Sequence, residues 1–184
     1  MDRKAEMLRH VRRWKQSSPG RPAGAPVPGP GQESVWDYPR PPRVEPVAKR
    51  LRVELAGHVL ADTREAVRVL ETAGAPVFYL PPADVDTAKL EPAPGGSLCE
   101  WKGRARYWSA RVGDRFVREA AWSYPDPYPE YAVLKDRLAF YAGRVDACWV
   151  GDERATPQPG GFYGGWVTRD ILGPIKGEPG SEGW

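Results

Sequence analysis

The sequence predicts a mainly β protein: compact antiparallel sheets with one short helix, plus extended segments at both ends. Three observations predict it. Two stretches, KRLRVELAGHVLADT and RARYWSARVGDRFVREAAWSY, alternate residue types with period two on either side of a short turn, the pattern of a β-hairpin. Only PDPYPEYAVLKDRLAFY joins a proline-rich start to helical spacing. The ends are dominated by helix- and strand-breaking residues, with nine prolines and four glycines between Pro19 and Pro46 alone.

With 184 residues, 41% of them apolar, the chain can bury one substantial core, so a single domain with tails is expected. In chain order, residues 1–18 place Met7, Leu8, Val11 and Trp14 at helical spacing among basic residues, a basic amphipathic tail able to meet a membrane or a protein partner. Residues 19–46 read as a stiff Pro/Gly-rich linker that ends in a segment wrapping the body, with Trp36 and Tyr38 as anchors. A β domain is expected over 47–152. In it Leu51, Val53 and Leu55 share one face, Arg50, Arg52 and Glu54 take the other, and Ala56-Gly57 turns the chain into HVLADT.

After a short turn at Thr63, the β-branched Val67 and Val69 favour a strand from about residue 66. PVFYLPP reads as a short buried strand stopped by Pro81, followed by a connection with Leu90 as its anchor. In the longest hairpin, Ala105, Tyr107 and Ser109 alternate with Arg104, Arg106, Trp108 and Ala110. The helix that follows is expected to bury Val133, Leu134 and Leu138 on one face, and a last strand runs through Val145 and Ala147. Residues 153–184 form a second Gly/Pro-rich wrap, in which Phe162, Tyr163 and Trp166 are expected to bury against the sheet.

Charge and composition exclude several functions. Residues 1–50 carry eleven basic and five acidic side chains and residues 51–184 carry sixteen and nineteen, so the body is mildly acidic and no nucleic-acid partner is expected. Two cysteines and two histidines cannot make a zinc cluster or a disulfide framework, and the expectation is no cofactor and no metal. Acids such as Asp84, Asp86, Glu71, Glu91 and Glu100 are read as solvated. No run of about 18 apolar residues exists and no apolar stretch follows the basic start, so a cytoplasmic protein is expected.

Cys99 stands three residues before Lys102, whose charge could stabilise a thiolate nucleophile; the alternative is an inert buried thiol. Tyr79, Trp101, Tyr107, Trp108, Trp122 and Tyr124 fall on or near adjacent strands and either line a pocket with polar tips or fill a core.

The segments CEWKGRARYWS and AAWSYPDPYPE, preceded by ADTREAVRVLE and PVFYLPPADV, resemble the family called domain of unknown function 427, over roughly residues 36–170. The FYGGW tail is similar to a longer subgroup of that family. The resemblance implies a β fold like the tent-shaped sheets of type B methionine sulfoxide reductases, although the four zinc cysteines of those enzymes are absent here. By motif position it implies a candidate site of Cys99, Lys102, Tyr107, Trp122 and Tyr124, with Arg64, Glu71 and Tyr79 from the preceding segment. The leading expectation is a module that binds a small, anionic molecule there through Lys102 or Arg64. The alternatives are an enzyme with Cys99 as nucleophile or Lys102 as a base of depressed pKa, and an interaction protein recruited through its N-terminal tail.

Overall fold

Strict alternation makes the first hairpin. Leu51, Val53 and Leu55 of the strand Leu51–Leu55 are fully buried, while Arg52 and Glu54 between them pair side chain to side chain at 2.8 Å. Ala56 and Gly57 both take positive φ, as a two-residue hairpin turn demands, and lead into His58–Thr63. Ala147–Val150 adds antiparallel to Leu51–Leu55, and Glu153–Arg154 completes a four-stranded sheet. The computed structural model describes residues 20–184. The amphipathic tail expected over 1–18 lies outside the described residues.

The second hairpin is the centre of the molecule. Gly103–Val112 and Arg115–Ser123 pair around a turn at Gly113-Asp114, with Leu138–Phe140 on one side and Leu90–Pro92 and then Ser97–Cys99 along the other. A bulge between Val117 and Ala121 shifts the register; Glu119 has positive φ there and donates its N–H to the Ser109 hydroxyl at 3.2 Å. A third sheet orders Arg43–Pro46, Val67–Leu70 and Val77–Tyr79, so the segment read as a wrap also supplies a paired strand. Leu80 and Leu138 exchange backbone hydrogen bonds of 2.8 and 2.9 Å and stitch this sheet to the central hairpin.

Side chains alternate across a strand, and the central hairpin therefore has two buried faces. Ala110, Ala120 and Ala121 face an aliphatic core with Leu51, Val53, Leu55, Leu60, Leu80 and Phe140. Ala105 and Trp122 face a second cluster built from Tyr79, Trp101, Tyr124, Tyr131 and Leu134. The two ends close over the sheets as expected for Trp36, Tyr38 and Trp166. All three are buried, with Trp36 Nε1 donating to Pro174 O and Trp166 Nε1 to Phe140 O, both at 2.9 Å. Glu33–Ser34 pairs in parallel with Ile171–Leu172, which ties the two ends together.

Two expectations are corrected. The helix is reduced to 3-10 turns over Pro129–Leu134: Leu134 is buried, but Val133 is exposed and Leu138 is in a strand. Prolines lack the amide that continues a helix, and Asp136, at φ 59°, turns the chain out of helical geometry. Phe162 does not bury, at 69% exposed, and Tyr163 buries only in part, whereas Trp166 takes a core position in that segment. Among the described residues no helix is long and apolar enough to cross a membrane.

Candidate functional site

Hairpin tips are ordinarily wet, but the turn at 99–103 is folded inward. Gly103 takes φ +99°, and a Cβ there would sit 3.4 Å from the Asp126 carbonyl oxygen, so residues 126–128 pack directly over the turn. Tyr128 N–H donates to Lys102 O at 3.2 Å, and Trp101 Nε1 donates to Glu71 Oε1 at 3.3 Å. The result is a buried Trp101 and a Lys102 only 9% exposed.

Lys102 borders a hollow of roughly 240 Å³, open on one side. Tyr79 and Tyr124 are buried beside it, Cys99 is half-buried, and the rings of Trp101, Trp122, Tyr107 and Tyr141 form walls. The rings meet edge-on or tilted: Tyr79 with Trp122 at 6.2 Å and 85°, Tyr79 with Tyr124 at 6.2 Å and 40°, Trp122 with Tyr141 at 4.5 Å and 45°. These are favourable edge-to-face and tilted contacts between rings, and they hold the walls of the hollow in place. Tyr107 reaches the opposite strand, its hydroxyl donating to Ser97 Oγ at 2.8 Å.

The polar tips are hydrogen-bonded to one another, Tyr124 to Tyr79 and to the Cys99 sulfur and Lys102 to the same sulfur. Burial alone would lower the Lys102 pKa, but the Cys99 sulfur, the Tyr79 oxygen and the Glu71 carboxylate together raise it above the usual lysine range. That direction favours an ammonium at neutral pH over a base of depressed pKa. Burial raises the Tyr79 phenol against the opposing charge of Lys102, and it raises Tyr124 further with help from Tyr79 and Cys99. Both phenols remain protonated at neutral pH. Trp122 Nε1, which can only donate, gives its proton to the Tyr79 oxygen at 3.3 Å and leaves the Tyr79 proton to be donated elsewhere. Lys102 and Tyr124 each interact with the Cys99 sulfur.

Glu71 is the acid of this group, and its charge is met from behind. Arg40, its side chain 3% exposed, places Nε 3.4 Å from Glu71 Oε1, beside the bond from Trp101. Of the residues expected in the site, Cys99, Lys102, Glu71, Tyr79, Tyr107, Trp122 and Tyr124 all line the hollow. Arg64 does not. It is exposed in the turn after His58–Thr63 and lines a separate hollow with Lys49, Arg50, Arg52 and Trp149. The structure adds Tyr141, Gln158, Phe162, Tyr163 and Lys176 to the lining. Neither Tyr141 nor Lys176 carried a signal in the sequence pattern.

The remaining candidate groups are occupied elsewhere. Thr63 donates to Asp84 at 2.6 Å, His58 Nε2 lies 2.8 Å from Asp86, and Arg111 pairs with Glu91 at 3.1 Å. Among the described residues no three His, Cys, Asp or Glu side chains are gathered as a metal site would need. Cys148 is a free thiol in the aliphatic core and does not bond to Cys99.

The profile of one protein family, described as Domain of unknown function (DUF427), matches residues 43–151. No curated protein matches the chain. The matched segment contains both hairpins, the turn at 99–103 and the rings around Lys102, and stops short of Gln158, Phe162, Tyr163 and Lys176.

Proposed function

We propose that this chain, which belongs to the DUF427 family, binds a small anionic ligand, a carboxylate, in the hollow around Lys102. The observation that carries the reading is a nearly buried lysine grouped with two phenols that stay protonated in the lining of an aromatic hollow. An ammonium and hydroxyl donors suit the lone pairs of a carboxylate, and a bond to a charged group is stronger than a neutral one. Arg40 offsets Glu71, so the charge of Lys102 is not fully spent inside the protein. At roughly 240 Å³ the hollow is smaller than the ~300–1,000 Å³ of drug-sized sites, which suits a metabolite of one ring or a short chain. The same proposal has the protein acting in the cytoplasm, where the free thiols Cys99 and Cys148 stay reduced.

Calorimetric titration of the full chain with small carboxylates and their neutral amides tests this. The acids should bind and the amides should not, and Lys102→Met should abolish the difference. Equal binding of acids and amides, or undiminished acid binding by Lys102→Met, would overturn the proposal.

One observation favours a second reading. Cys99 is half-buried on the hollow beside the ammonium, the position of a nucleophile that attacks an electrophilic carbonyl carbon. In that reading Lys102 stabilises charge and is not the base. Intact-mass spectra after exposure to activated esters decide it: an acyl adduct on Cys99 that turns over supports the enzyme, and its absence while acids still bind removes it.

A further inference from the structure

Beyond the family-matched segment the chain builds a wall of its own onto the same hollow. Residues 158–166 cross it between two anchors. Gln158, buried, accepts the Ala75 N–H at 3.1 Å through Oε1 and donates Nε2 to Lys176 O at 2.8 Å. Trp166 is 1% exposed, its ring 5.1 Å from that of Phe78. Between them the backbone at Gly164 packs against the outer edge of the Trp122 indole, where a Cβ would meet Cη2 at 2.0 Å. A side chain there would have to displace a wall of the hollow, so the glycine fixes the strap against the site.

The strap thereby presents two rings at the opening. Phe162 and Tyr163 meet edge to face, centroids 5.2 Å apart at 88°, and the Lys176 ammonium sits 5.4 Å over the Tyr163 ring. Phe162 stays largely exposed, as does Leu98, another lining residue of the hollow. Apolar surface that could have joined the core is kept instead around an opening that leads to an ammonium.

We propose that Phe162 and Tyr163 form an outer subsite that selects small carboxylic acids carrying an aromatic ring, with Lys176 positioning the Tyr163 ring. The inference rests on the carboxylate reading above and names its ligand class. The acid group takes the Lys102 donors, and one ring a carbon or two away fills the space between the strap and the aromatic walls. A flat ring meets those walls edge-on as they meet each other, which a saturated ring of similar size cannot do, and such contacts raise affinity about two- to tenfold.

Calorimetry on the full chain with phenylacetate and cyclohexylacetate tests it, for the wild type, Phe162→Ala, Tyr163→Ala and Lys102→Met. Phenylacetate should bind about two- to tenfold more tightly than cyclohexylacetate. That preference should shrink toward parity in the two strap variants, whereas Lys102→Met should lose both acids. Phe162 is exposed, so its removal leaves the core intact, and circular dichroism checks Tyr163→Ala. Should both acids bind through Lys102 with equal affinity, or should the preference survive in both strap variants, this inference is overturned while the carboxylate reading stands. Should neither acid bind, both readings fall.

Discussion

The central hairpin packs against two clusters, and each contains one of the two cysteines. Cys148, 1% exposed among Leu51, Val53, Leu55 and Phe140, sits in an aliphatic environment whose burial pushes its thiol far above the usual range. Cys99, on the other side, shares its surroundings with an ammonium, two phenols and an opening to solvent. Around Cys148 the packing is mainly aliphatic, with Phe78, Phe140 and Trp166 among it. The hollow that Cys148 borders is lined by small and aliphatic residues with Asp146 and Arg154, without aromatic rings. Around Cys99 the hollow is walled by large rings, and its lining carries an ammonium and phenol hydroxyls. One region holds the fold together and the other is available to do chemistry, and substitutions should separate the two.

The largest separation should come from the aliphatic side. Leu55 is fully buried, and Leu55→Ala should cost about 2–5 kcal/mol in urea denaturation, without altering acid binding by the folded fraction. Alkali acts on both sides at different pH. The Cys148 thiol and the Tyr79 and Tyr124 phenols are all raised in the folded state. The folded protein therefore retains protons that the unfolded chain loses, and the stabilisation is present at low pH and disappears as pH rises. It should start to fall near pH 9, the ordinary thiol value, and steepen above pH 10, the ordinary phenol value, by roughly one kcal/mol per pH unit for each group. Cys148→Ala should remove the earlier step and keep the later one in a pH series of denaturation curves.

Smaller effects sharpen the contrast at the hollow. Gly164→Ala drives a methyl group into the Trp122 ring and should destabilise by about 1–3 kcal/mol, with weaker acid binding in the same preparation. Lys102→Met keeps the apolar stem but removes the ammonium that faces Cys99, Tyr79 and Glu71, and should cost about 1–3 kcal/mol, since Arg40 still meets the Glu71 charge. A larger loss of stability would mean that Lys102 belongs to the structural core. A thiol reagent on the native chain should modify Cys99 and spare Cys148 until the protein unfolds, as read by peptide mass.

Period-two alternation made both hairpins legible, because successive side chains of a strand face opposite sides and the two sides of each hairpin pack differently. The turns between the strands carry Gly57 and Gly113 at positive φ. The convergence of Cys99, Lys102, Tyr79, Tyr107, Trp122 and Tyr124 was legible in outline from their places on neighbouring strands. That Lys102 is buried was not, because the inward fold of turn 99–103 depends on residues 126–128, distant in sequence. Arg64 was misplaced for a related reason: strand alternation says nothing about which way a turn residue points. The one short helix expected within 125–141 is present but is confined to 3-10 turns over Pro129–Leu134, because the prolines and the positive φ of Asp136 outweigh the apolar spacing beyond it. Phe162 was read as buried because it is aromatic, but Gly-rich backbone carries no periodicity from which burial can be read.

The account stands on Lys102 as the anchor of a carboxylate. A crystal structure of the chain grown with phenylacetate tests this most directly. It should show a carboxylate oxygen about 2.7–3.2 Å from Lys102 Nζ, with the Tyr124 or Tyr79 hydroxyl donating to the same group. A hollow left without the acid at saturating concentration, or the acid seated with its carboxylate turned away from Lys102, would contradict it.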